Sequence, residues 1–177
     1  MLTPRMIARM EARFFQYSLQ SVIGGATLSD LPQKQIQNGF HFWSEFLTIT
    51  YPTISSAGLD DGVNNLSAQF KSGSNQIGLS NDFIDLATIA VPGRQRSPGL
   101  AGDPSQPLNI QGFPWPYLYE ATGAIMVDLR KTGTSVETVR FVWTGFLIPV
   151  GRVATAQDFY SMLAEEYPDF GQSQIQR

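Results

Sequence analysis

The residues that could do chemistry in this chain are few. His41 is the only histidine, and there is no cysteine. A general base of the imidazole type needs a nucleophile to serve and an acid to orient it. No Ser or Asp is spaced to recruit His41, which lies in an aromatic run, so it reads as a structural or surface imidazole. A histidine-rich or thiolate metal site is excluded by count. Asp60-Asp61-Gly62-Val63-Asn64-Asn65 offers oxygen ligands of the kind calcium takes, but the spacing and the terminal Glu of an EF-hand loop are missing, and a turn is expected there. None of the glycine-rich phosphate loops is present, nor the G-x-S-x-G elbow. A glycosidase pair has no linear spacing rule and would have to hide among fifteen acids, none of which stands out. The expectation is a protein that is not an enzyme and uses no cofactor.

The candidates that remain are contact residues. Arg5, Arg9 and Arg13 recur at every fourth position, which would align them on one face of a helix over residues 3–20. Ile7, Met10 and Phe14 fall on another face. Such an arginine face reads either as an arm touching acidic protein or packaged DNA, or as an ordinary solvated surface. Arg94 and Arg96 stand at the start of a long proline-rich loop and carry the same two readings. Trp115, Tyr117 and Tyr119 could stack on sugar rings, although the flanking prolines favour packing into a groove. Near the C-terminus, Phe159, Met162, Leu163 and Tyr167 form the apolar stripe of a helix. It can pack on its own domain or on a neighbouring subunit.

Composition narrows the partners. Charged residues are only 15% of the chain, against ~25% in an average soluble domain, and the net charge is −3. That balance gives no general attraction to nucleic acid or to an anionic membrane. The longest apolar run, Phe141–Val150, is far short of the ~20 residues of a spanning helix. With no apolar segment following the N-terminal arginines, a secretory signal is not expected, and a soluble protein made in the cytoplasm is.

The elements that must position these residues come next. Residues 1–37 read as an N-terminal arm or helix, broken at Gly24-Gly25, whose removal should leave a folded body. Residues 38–150 read as a β-sandwich, and 151–177 as a C-terminal helix and tail. Phe40–Tyr51 is a strand closed by Pro52, with Phe42 and Phe46 on one face and Trp43, Leu47 and Ile49 on the other; burial of both faces, or contact with another subunit, would explain that pattern. Leu66–Phe70 and Gln76–Leu79 are short strands about a Ser-Gly-Ser-Asn turn, and Phe83–Val91 is a strand or a buried irregular segment. Residues 92–116 hold six of the eleven prolines and form a loop rather than a central strand. Ile125, Val127 and Leu129 then alternate with Met126, Asp128 and Arg130, and Val139, Phe141 and Trp143 with Thr138, Arg140 and Thr144, and the two runs read as one antiparallel hairpin turning at 131–134. Thr155 with Asp158 makes a capping box for the helix through Tyr167, which Pro168 ends.

This order of motifs resembles the small β-sandwich virion proteins of tailed bacteriophages, of the capsid decoration, cement and head–tail accessory type. The likeness spans residues 38–150. It rests on F-H-F-W-S-E-F (Phe40–Phe46), G-L-S-N (Gly78–Asn81), a proline-rich loop, F-P-W-P-Y (Phe113–Tyr117), I-M-V-D-L-R (Ile125–Arg130) and V-R-F-V-W-T-G-F (Val139–Phe146). The resemblance implies a mainly β fold, an antiparallel sandwich of jelly-roll type. It implies a structural role in the virion, with the major capsid protein or a head–tail connector as partner, self-association into a homo-oligomer, and neither membrane nor sequence-specific nucleic acid. On that view Arg5, Arg9, Arg13, Phe14, Arg94, Arg96, Trp115, Tyr117, Phe159 and Met162 are the partner contacts. A carbohydrate- or receptor-binding module of a phage tail or spike is the alternative.

Overall fold

A computed structural model describes residues 1–24, 28–30, 33–54, 66–72, 75–77, 83–86, 113–131 and 136–167. Its elements are α1 (Pro4–Met10), β1 (Arg13–Gly24), β2 (Leu28–Asp30), β3 (Lys34–Gln35), β4 (Phe40–Ile54), β5 (Leu66–Ser72), β6 (Asn75–Ile77), β7 (Ile84–Asp85), β8 (Phe113–Tyr119), β9 (Ala124–Lys131), β10 (Val136–Pro149) and α2 (Ala156–Glu166). The fold is mainly β. One sheet has four strands in the order β1-β10-β4-β8; the other has six, built on β2-β9-β5-β6 with β3 beside β9 and β7 beside β5. Every described pairing is antiparallel.

The two sheets bury one face each against the other, an arrangement consistent with a β-sandwich. Ile125, Val127 and Leu129 of β9 and Ala68 and Phe70 of β5 meet Tyr17, Leu19, Phe42, Leu47, Val139, Phe141 and Trp143 of the four-stranded sheet. Phe70 is the pivot, its ring 4.8 Å from that of Trp115, 5.8 Å from Phe141 and 6.4 Å from Trp143. Tilted and edge-on contacts of this kind add to the ordinary gain from burying aromatic area.

A second apolar cluster lies on the other face of the four-stranded sheet. Leu2, Met6 and Met10 from the N-terminal segment and Phe159 and Leu163 from α2 cover Trp43, Leu118 and Ile148. Sequence dictates both helices locally. Thr3 caps α1, its hydroxyl accepting from the Met6 N–H, and Pro4 needs no donor at the first helical position. Thr155 and Asp158 cap α2 reciprocally, as expected.

Several expectations change, among them the loop expected over 92–116, whose last four residues instead open the edge strand β8, where proline is tolerated. The helix foreseen over 3–20 stops at Met10, with Glu11 in a left-handed turn at φ 51°. Residues 13–24 are instead a strand paired along its whole length with β10. The N-terminal segment is therefore built into the fold, since the aromatic and β-branched residues after Ala12 prefer a half-buried sheet to a helix. β9 and β10 do not form a hairpin: each buries its period-two face, but they belong to opposite sheets and face one another across the core. Finally, the faces of β4 switch midway. Phe46 pairs with Thr144 and Ser44 with Gly145, so Glu45 is an extra residue. This bulge puts Phe42 and Leu47 on the inner face and Trp43 on the outer, whereas strict alternation had grouped Trp43 with Leu47. Both faces are buried within the chain, one in the core between the sheets and the other under the helices. Pro52 does not end the strand, because a second register shift between its pairings at Thr50 and Thr53 accommodates the missing donor.

Candidate partner-binding surface

The N-terminal segment and the end of α2 come together on the helical face. Thr3 Oγ1 donates to Glu166 (3.1 Å), Arg9 pairs with Glu165 (3.0 Å), and Tyr167 Oη donates to the Met1 carbonyl (2.8 Å). Arg152 pairs with Glu11, and this guanidinium holds the exposed Glu11 carboxyl below its ordinary range. Glu45, projected by the β4 bulge, accepts from the Leu2 backbone N–H and from the Trp43 indole at 3.3 Å. The elements expected to reach outward as docking arms are thus folded onto their own sheet.

The contact candidates separate accordingly. Arg5, on α1, and Arg13, at the start of β1, are exposed; Arg9 is exposed but paired with Glu165. Only Arg5 and Arg9 share a helix, so there is no three-arginine face. Phe14 is 64% exposed, and its ring meets Phe146 edge-on at 6.1 Å. Arg94, Arg96 and the Asp60–Asn65 loop lie outside the described residues. Phe159 is fully buried on Trp43 at 4.9 Å, and Met162 is half-buried in the same cluster, so the α2 stripe packs on its own domain. Trp115 is buried against Phe70, and Tyr119 is buried as well, which removes two of the three rings offered for sugar stacking. Tyr117 remains half-buried.

Val22 and Phe15 were missed as surface candidates; they are 64% and 36% exposed. The signal was there. From Phe14 to Val22, Phe15, Tyr17 and Leu19 alternate with Gln16, Ser18 and Gln20, the period of a strand rather than of the helix suggested by the arginines.

The buried polar groups are structural in their contacts. His41 Nδ1 accepts from the Ala121 N–H and Nε2 donates to the Val153 carbonyl, both at 3.1 Å, which assigns the proton to Nε2. The ring ties β4 to the turn before β9 and to the loop before α2. Tyr119 is buried with its hydroxyl near the indole N–H groups of Trp115 and Trp143, neither of which completes a hydrogen bond. Burial raises the Tyr119 pKa strongly, and that of Tyr17 to a lesser degree. Because the folded form holds the phenolic proton more tightly than the unfolded chain, stability is intact below the ordinary value of 10.0 and falls above it. Urea midpoints should therefore hold up to about pH 10 and drop progressively above it. Tyr119→Phe should flatten that slope; an unchanged slope would mean Tyr119 does not carry it.

Neither described helix is long and apolar enough to cross a membrane. No protein-family model matches the chain, and no curated protein matches its sequence.

Proposed function

We propose that this chain is a non-enzymatic structural protein of a virion, assembled in the host cytoplasm, which binds major capsid or head–tail connector subunits and stabilises the particle as a decoration or cement protein. Its fold is read as a jelly roll, and the strand order is the observation that carries the proposal. With the two-residue β3 and β7 set aside, β1 lies beside β10 and β4 beside β8 in one sheet, while β2 lies beside β9 and β5 beside β6 in the other. First pairs with last, second with next-to-last, and so inward to the β5–β6 hairpin. That is the pattern of one long antiparallel hairpin rolled into two layers, an architecture that viral capsid domains use. It also explains why β9 and β10, adjacent in sequence, lie in opposite sheets.

The motif series over residues 38–150 supports the virion assignment, and the rigid aromatic core supports a body that binds by shape. The test is co-sedimentation of the purified chain with purified phage shells lacking it. Saturable binding together with a gain in shell thermal stability is expected. A folded protein that leaves shells unbound, or one that selects a glycan on an array, would overturn the assignment.

A further inference from the structure

We propose that β1 is a self-pairing edge: two copies of this chain join antiparallel along it, about a two-fold axis at Ser18, merging their four-stranded sheets into one. This goes beyond the proposed function and draws on nothing in it.

The argument starts from how edges are protected. A long sheet edge presents unpaired backbone donors and acceptors, and monomers blunt it with charge, proline, bulges or short length. β8, the opposite edge of the same sheet, carries Pro114 and Pro116. The outer strands of the second sheet, β2, β3, β6 and β7, have three residues or fewer. β1 has twelve residues, and from Phe14 to Gly24 it holds neither a charge nor a proline. Among the described residues its backbone pairs with β10 alone.

The side chains specify the occupant as a second copy. Tyr17 and Leu19 point into the core, so Phe14, Gln16, Ser18, Gln20 and Val22 share the outer face. Phe14 and Val22 are each 64% exposed, and each stands four residues from Ser18. Antiparallel pairing about Ser18 sets Phe14 opposite the partner copy's Val22 and Gln16 opposite its Gln20, and the symmetry repeats both contacts. The two exposed apolar positions of this face of β1 thus cover each other, and amide meets amide. A one-residue slip would turn Phe14 away from Val22.

Sedimentation equilibrium of the full chain, with no shells present, tests this apart from shell binding. The expected species has twice the 19.6 kDa chain mass. The double variant F14K/V22K sets like charges opposite one another twice, and should weaken the dimer by about 100-fold or more, while F14E/V22K, which sets opposite charges there, should restore it. Circular dichroism melts confirm that each variant folds. Because the chain lacks cysteine, Ser18→Cys gives a thiol that meets only its own copy, within the ~4.4–6.8 Å Cα separation of a disulfide. Gln20→Cys places the two thiols roughly 13 Å apart along the strands. Mild oxidation should cross-link the first and not the second. A monomeric full chain, a dimer indifferent to F14K/V22K, or equal cross-linking at positions 18 and 20 would each overturn the proposal.

Discussion

A chain that begins at Gly25 should fail to fold, remaining unstructured or insoluble where the full chain melts cooperatively. The lost residues supply Leu2, Met6 and Met10 to the helical face and Tyr17 and Leu19 to the inner core, all at most 8% exposed. Burying five such side chains contributes on the order of 10 kcal/mol, comparable with the whole stability of a domain this size. The truncation also strips β1 from β10, leaving fourteen residues of hydrophobic strand as a raw edge. Trp43 and Phe159 would lose the cover of α1 as well. The measurement is soluble yield followed by tryptophan fluorescence and a thermal melt. A truncated chain with a melt within a few degrees of the full chain would show that the N-terminal segment is dispensable to the fold. This reverses what the arginine spacing alone would suggest, because a helical arm could be cut without harm and an integral strand cannot.

The faces of the strands were more legible than their partners. Alternation over Ile125–Leu129 and Val139–Trp143 reports that one side of each strand is buried, and all six residues are at most 1% exposed. It does not report what buries them. Two alternating runs joined by a short turn can lie side by side and bury a shared face, or stand in opposite layers and bury their faces against each other. The period is two in both cases. Only the whole strand order chooses, and that order depends on pairings such as β1 with β10, more than a hundred residues apart. The α2 helix was legible to the residue because its capping box is local chemistry. At the N-terminus the four-residue spacing of the arginines and the aromatic alternation from Phe14 point to different structures, and beyond Ala12 the alternation prevails. The contact surface followed the same rule. Exposure of Phe14 and Val22 depends on β1 being an edge, which no local pattern states.

The β4 bulge shows how little slack the central pair of strands has, and Gly145→Ala should expose this as a loss of about 3 kcal/mol or more. A Cβ built on Gly145 would stand 1.9 Å from the Trp43 carbonyl oxygen and 2.9 Å from both the Trp43 carbonyl carbon and the Ser44 Cα. All three are backbone atoms, so no side chain can swing aside to make room. Relief requires β10 to move away from β4 where the bulge brings them closest, between the Ser44–Gly145 and Phe46–Thr144 pairs. That movement would carry Trp43 off Phe159 and draw Glu45 from the Leu2 N–H, loosening the helical face along with the sheet. For a domain of this length the expected fall in Tm is about 10 °C, with a lower denaturant midpoint at an unchanged slope. Gly151→Ala is the control: its Cβ meets nothing within 4 Å, so its effect should stay within about 0.5 kcal/mol. If both variants melt together, the close approach of β4 and β10 does not constrain position 145, and the bulge loses its role as the point where the sheet's two buried faces exchange register.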